Sequence, residues 1–317
     1  MKLITTSALA GFVLAAAVQA SQDIPDQYPQ SELYSKPVEV IPHVFSAIGA
    51  TAPPGAANAG HNNNLSFIVT DEGVVVVNAG ASDRLAAALH DEIKAVTDQP
   101  VVLVINENGQ GHAMLGNGYW RDLGVDVLAH VDAVAETKEN GDFILQRMLS
   151  YNKDGADDTR IEHANLSFDD DYNLSLGGVE IKVLHLGPAH DPGDVQVWIP
   201  EWQIMLAGDI AFHERMLPVF PHTCTKCWIE TWTEKLEPLN PTYVVPGHGH
   251  PTNLAQVRRY TLDYLVDLRN KVGAHIEGGG DLASAYYVDQ AQWRGLDTFE
   301  ELATKNAGRV YEEMEWE

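Results

Sequence analysis

The sequence predicts an α+β fold in which two β-sheets pack face to face with helices outside. Strand-like segments come in two batches, each followed by helix-like ones, an order that suits a layered sandwich better than strict βαβ alternation. Gly80 follows a strand-like run, yet no GxGxxG accompanies it, so the main sign of a dinucleotide fold is missing. Three apolar runs in the second half each end near a side chain able to hold a metal ion.

Residues 1–20 read as a secretory signal peptide. Lys2 gives a positive start, residues 8–18 are mostly apolar, and Val18-Gln19-Ala20 offers small residues to a signal peptidase. That apolar stretch is short for a membrane span. Residues 21–37 are polar and read as an extended arm. Residues 38–48, 65–70 and 74–78 are β-branched and aromatic strands, the last two joined at Asp71-Glu72-Gly73. A helix is predicted over 82–96, with Leu85, Leu89 and Ile93 on one face and Ser82 or Asp83 as its cap.

The continuous apolar run at 101–105 predicts a strand buried on both faces. A helix over 116–122, a strand over 125–129 and a helix over 142–152 follow. Residues 166–176 and 179–185 predict a hairpin turned at Gly177-Gly178, and 195–199 with 204–206 another, turned near Pro200-Glu201-Trp202. A helix over 228–236, a buried strand over 243–245, one long amphipathic helix over 254–272 and two helices within 281–314 complete the chain. The expected organisation is one domain over residues 38–275 and a helical extension over 276–317.

The chain carries 45 acidic against 20 basic side chains, a net charge of −25. Such a surface repels nucleic acid and anionic lipid, so a small-molecule substrate is the expected partner, with no nucleic acid and no membrane insertion. With the signal peptide, the expected location is the periplasm or the outside of the cell. The only cysteines, Cys224 and Cys227, form a C-x-x-C pair. In an oxidising compartment this is most simply a local disulfide. A metal clip with His222 or His213, and a redox-active pair, are the other readings.

His190 in LGPAHDPGD, Asp209 in LAGDIAF and His248 in VVPGHGH share one context, an apolar run followed by a tight, glycine-bearing turn. Imidazole and carboxylate are the usual nitrogen and oxygen ligands of zinc and similar divalent metals. A fourth segment, INENGQGHAMLGNGYW, frames His112 in a loop after a buried strand.

In this order, these segments resemble the metal motifs of the metallo-β-lactamase superfamily, and NNLSFIVTDEGVVVVNAG resembles its opening hairpin. The similarity spans about residues 38–272. It implies an αββα four-layer sandwich with a metal site at one edge and hydrolase chemistry. The HxHxDH segment departs from the family's pattern. Asn108 and Gln110 stand at its first two histidines, His112 at its aspartate and Ala113 at its last histidine, while Asn78 replaces the strand-end Asp.

A neutral amide is a poor zinc ligand. The resemblance therefore implies one Zn2+ rather than two, held by His112, His190, Asp209 and His248, with Asn108 and Gln110 as weak ligands. Asp209, Asp191 or Glu107 would orient water or take its proton in attack on an ester, lactone, amide or thioester, and His213 would support a ligand from behind. The alternative is a catalytically inactive binding or accessory protein of the periplasm on the same fold.

Overall fold

A run such as Val74-Val75-Val76-Val77 has no polar face, so a sheet built from it must be covered on both sides. The computed structural model of the protein describes residues 28–156 and 158–317, apart from the Asp154 side chain. The expected signal peptide at residues 1–20 and the start of the arm lie outside the described residues.

The first sheet takes β1 (Val38–Ile41), β2 (Val44–Ala47), β3 (Leu65–Thr70), β4 (Gly73–Val77), β5 (Val101–Ile105), β6 (Asp126–His130) and β7 (Leu166–Phe168) in sequence order. Its first four strands are antiparallel neighbours and β4 to β7 run parallel. The second sheet is formed by β8 (Asp171–Leu176), β9 (Val179–Leu184), β10 (Gln196–Ile199), β11 (Ile204–Phe212) and β12 (Tyr243–His248). Its spatial order is β12-β11-β10-β9-β8, with only β11 and β12 parallel.

The helices are α1 (Asp83–Val96), α2 (Gly111–Met114), α3 (Asn117–Asp122), α4 (Val131–Asn152), α5 (Thr225–Thr231), α6 (Glu237–Leu239), α7 (Leu254–Tyr260), α8 (Leu262–Glu277), α9 (Leu282–Ala285) and α10 (Phe299–Met314). Between the sheets, Ile68, Val75 and Ile105 meet Ile181, Val197 and Val245. Outside the first sheet, Phe67 and Val76 pack on Leu85, Leu89 and Trp120 of α1 and α3. Outside the second, Met205 and Phe212 join Trp228, Leu265, Leu268 and Val310 of α5, α8 and α10. The result is the four-layer α+β sandwich that the sequence predicts. Ala303, Ala307 and Val310 of α10 belong to the same core as the second sheet, so this helix is seated against the domain.

Several elements differ from expectation, each for a local reason. Residues 38–48 form two strands, because the chain turns at Pro42-His43 with His43 at φ 75°. Val102 is 37% exposed, so β5 is not covered along its whole length. The helix expected at 142–152 starts at Val131, capped by His130, whose ring accepts the Asp132 N–H. Its polar stretch around Asn140-Gly141 hides the helical pattern, yet Gly141 lets Ile161 pack closely on the helix.

Residues 166–176 do not form one strand of a hairpin. β7 closes the first sheet, and after Asp169-Asp170 the chain crosses to begin the second as β8. The single helix expected over 254–272 is two, interrupted at Thr261, whose hydroxyl accepts the Phe212 N–H at 2.8 Å. In the arm, Leu33 and Tyr34 are buried rather than solvated. Among the described residues, no helix is long and apolar enough to cross a membrane.

Candidate metal centre

The parallel pair β11 and β12 lies at one edge of the second sheet and places Asp209 and His248 side by side. Asp209 lies inside β11, beyond a register shift at Gly208, and His248 is the last residue of β12. Two glycines make the approach possible. Gly208 has φ 62°, and a side chain there would strike the Glu107 carboxylate, while one at Gly247 would strike Asp209 itself. The third component comes from the first sheet, where the chain leaves β5 through Glu107 to Gln110 and enters α2 with His112.

These segments converge. Ligand atoms of His112, Asp209 and His248 all lie within 4.8 Å of one another. His112 Nε2 is 3.3 Å from Asp209 Oδ2, and His248 Nε2 is 3.3 Å from Asp209 Oδ1. The Asn62 carbonyl contacts His248 Nδ1. A carbonyl only accepts, whereas the Arg215 guanidinium, 3.1 Å from the same Nδ1, only donates, so the two neighbours of Nδ1 favour opposite tautomers. Asp209 Oδ1 is buried and makes no hydrogen bond. With the proton on Nδ1, Nε2 and Asp209 Oδ1 are two acceptors 3.3 Å apart, an arrangement that a cation between them satisfies.

His190 stands beside this group rather than within it. Its Nδ1 is 3.8 Å from Asp209 Oδ2 and takes a hydrogen bond from the Gln110 amide at 3.1 Å. Its Nε2 is buried without a partner, and the ring lies against Phe220, Trp228 and Phe212. Asn108 turns away from the centre. Its amide donates to Asp194 at 3.2 Å and its oxygen accepts the Gln110 N–H at 3.0 Å. Asp191 lines the adjoining cavity and pairs with His222 at 3.4 Å. His213 lies behind β12, its N–H on the His248 carbonyl at 3.0 Å and its ring on the His250 carbonyl. Cys224 and Cys227 form a disulfide at the start of α5.

Electrostatics sharpen the picture. Burial works to raise the Asp209 carboxyl, but His248 and His112 outweigh it and hold the group well below the usual carboxylate range. Burial also works against charge on His112, yet Asp209 and Glu107 overcome it and push that imidazole up to about 10. His248 is pulled down to about 4 by burial and by the Arg215 guanidinium. Burial, then Asp209, raises Glu107, whose Oε1 lies 3.2 Å from His112 Nε2.

Sequence reasoning missed three residues here. Arg215 is buried with Nη1 3.1 Å from His248 Nδ1. Asn64 ties the Pro246-Gly247-His248-Gly249 turn down through two carbonyls. Asp194 joins the loop after β5 to the loop after β9 by accepting from Asn108 and from the Asp191 N–H. None carries a local signal beyond the polar run His61 to Asn64 ahead of β3.

A second group, His130, Asp132 and His185, also brings ligand atoms within 4.8 Å. The two rings there are stacked at 3.9 Å and 14°, so their lone pairs run parallel instead of meeting at one ion.

The molecule is thus a four-layer sandwich with a His-Asp-His cluster at one sheet edge. The family description that matches residues 114–248 is the metallo-beta-lactamase superfamily. The metallo-beta-lactamase type 2 of Elizabethkingia meningoseptica is 22% identical over 222 residues, which cover 66% of this chain and 77% of that one. The metallo-beta-lactamase from Pontibacter korlensis superposes with a TM-score of 0.60 at 18% identity, covering 73% of this chain and 98% of that one. The stereoselective inverting sec-alkylsulfatase Pisa1 from Pseudomonas sp. gives a TM-score of 0.67 at 16% identity. It covers 89% of this chain, which spans about half (52%) of that one.

Proposed function

We propose that the protein is a hydrolase that works with one divalent metal ion, zinc before others, held by His112, Asp209 and His248. The observation that carries this reading is the unpartnered, buried Asp209 Oδ1 facing His248 Nε2 at 3.3 Å, with His112 Nε2 as close to the other oxygen, a cluster that a cation would satisfy. Each imidazole faces its own oxygen of the one carboxylate at 3.3 Å, and nitrogen and oxygen donors of this kind are the ones zinc takes. Three protein donors leave a fourth position open, as catalytic zinc requires. With His190 beside the group, the centre is more open than a four-ligand set would be.

The bound ion would polarise a carbonyl or ester oxygen and lower the pKa of water. This chain's own groups do the rest. Asp191 lines the cavity and is held by His222, in position to orient water or accept its proton. Asn62 and Arg215 hold the His248 ring through Nδ1, and Gln110 holds the ring of His190. Phe212, stacked on His248 at 5.1 Å, shields the ligand from water. The bond class is an ester, lactone, amide or thioester. The same proposal puts the protein in the periplasm or outside the cell: residues 1–20 have the pattern of an export signal, and a C-x-x-C disulfide persists where thiols are oxidised.

A second reading, a non-catalytic binding or accessory protein, is favoured by His112. Its Nε2 lies between Glu107 and Asp209, which an imidazolium would satisfy without metal. Metal analysis separates the two. After zinc is added and excess removed, we expect one equivalent on the wild type and loss of it in Asp209→Ala and His248→Ala. Chromogenic ester or lactone turnover should disappear with it. Wild type retaining less than about half an equivalent would overturn the metal reading.

A further inference from the structure

The cavity beside the centre measures about 650 Å3, the size of a small-molecule site. Two helices contribute to its lining. On α4, Phe143 and Ile144 come one turn before Arg147; on α10, Leu302 comes one turn before Lys305. Phe143 is 68% exposed, a large apolar side chain held open to this space.

Four carboxylates and three permanent cations line the cavity, and they differ in how they are engaged. Asp209 is engaged by His112 and His248, Asp191 by His222, and Glu136 accepts from Asn140 at 3.1 Å. Glu301 acts electrostatically on buried Arg215. Arg147 and Lys305 also line the cavity, and among the described residues neither side chain enters an ion pair or hydrogen bond. A chain with net charge −25 repels anions at long range, so an anion that enters this cavity must be held locally, and Arg147 and Lys305 are the cations placed to hold it.

We propose that this site takes an amphipathic anion, an acidic group drawn to Arg147 and Lys305 with an apolar chain along Phe143, Ile144 and Leu302. The inference rests on the hydrolase reading only in taking this cavity as the substrate's. Both cations come from helical faces, so recognition is set by α4 and α10 rather than by the loops that carry the metal ligands.

The test uses full-length protein depleted of metal with chelator, and ligands that cannot be hydrolysed. Calorimetric titration with octanoate, 1-octanol and octylammonium reads the charge preference, and butanoate reads the apolar part. Octanoate should bind about five- to tenfold tighter than 1-octanol, as two exposed charge contacts provide. Octylammonium and butanoate should both bind more weakly than octanoate. The double variant Arg147→Ala/Lys305→Ala, both exposed side chains, should bring octanoate to the level of 1-octanol and leave 1-octanol unchanged.

Equal binding of octanoate and 1-octanol, tighter binding of octylammonium, or no binding of any probe would overturn the proposal. So would a preference for octanoate that survives the double substitution, or butanoate binding as well as octanoate. Because no metal or turnover enters the measurement, its failure leaves the hydrolase reading untouched, and an inactive enzyme leaves this one untouched.

Discussion

Asn64 makes no contact with the chemistry, yet it holds the turn that carries His248. Its amide donates to the carbonyls of Pro246 at 2.8 Å and Gly249 at 2.7 Å, and its own N–H donates to Gly247 at 2.7 Å. Asn64→Ala deletes the two buried amide hydrogen bonds and the one that its Oδ1 accepts from the Gly49 N–H at 3.3 Å, and strands their partners. The expected loss is about 2–4 kcal/mol in urea unfolding, together with weaker zinc retention because His248 loses its fixed turn. A loss below about 1 kcal/mol, the worth of one ordinary hydrogen bond, would mean that the turn holds itself. His112, Asp209 and His248 were legible in the sequence, because ligand-type side chains after apolar runs advertise themselves. Asn64 and Arg215 were not. Their partners are 182 and 33 residues away, and nothing in their neighbourhoods sets them apart from surface polar residues.

At the scale of elements, period-2 and period-3.6 patterns located most strands and helices, and they failed where a tertiary contact decides. The break between α7 and α8 is the clearest case. The amphipathic pattern runs through it, but Thr261 leaves the helix because its hydroxyl accepts from the Phe212 N–H at 2.8 Å and donates to the Phe212 carbonyl at 3.2 Å. Phe212 ends β11, so this contact fixes the strand that bears Asp209 against the outer helices. Thr261→Val keeps the shape and removes both bonds, leaving the buried Phe212 groups unsatisfied. A destabilisation of about 1–3 kcal/mol is expected, with a drop in zinc affinity. Calorimetric melting checks the first and competition with a zinc chelator the second. An unchanged melt would show that water replaces the hydroxyl. The crossing from β7 to β8 was missed for a related reason: Asp169-Asp170 reads as a polar position of one strand until two separate sheets claim its sides.

For the whole molecule, the balance of buried histidines sets how stability responds to acid. His61 is fully buried, its Nδ1 accepts the Tyr34 N–H at 2.9 Å, and burial pulls its pKa down to about 4. Unfolded, it titrates near the ordinary imidazole value. Between those two values the unfolded chain binds a proton that the folded chain refuses, so folding free energy rises with pH across this window. The stabilisation is fully present above the unfolded pKa and is lost as pH falls toward about 4. From pH 7 to pH 5, His61 alone should remove about 2 kcal/mol. His61→Asn keeps an acceptor for Tyr34 and removes the titration. Urea unfolding of metal-depleted wild type and variant at both pH values isolates this group, since His190 and His248 are common to both and cancel. The wild type should lose about 2 kcal/mol more than the variant over the interval, and parallel losses would place the neutral imidazole of His61 outside the acid response.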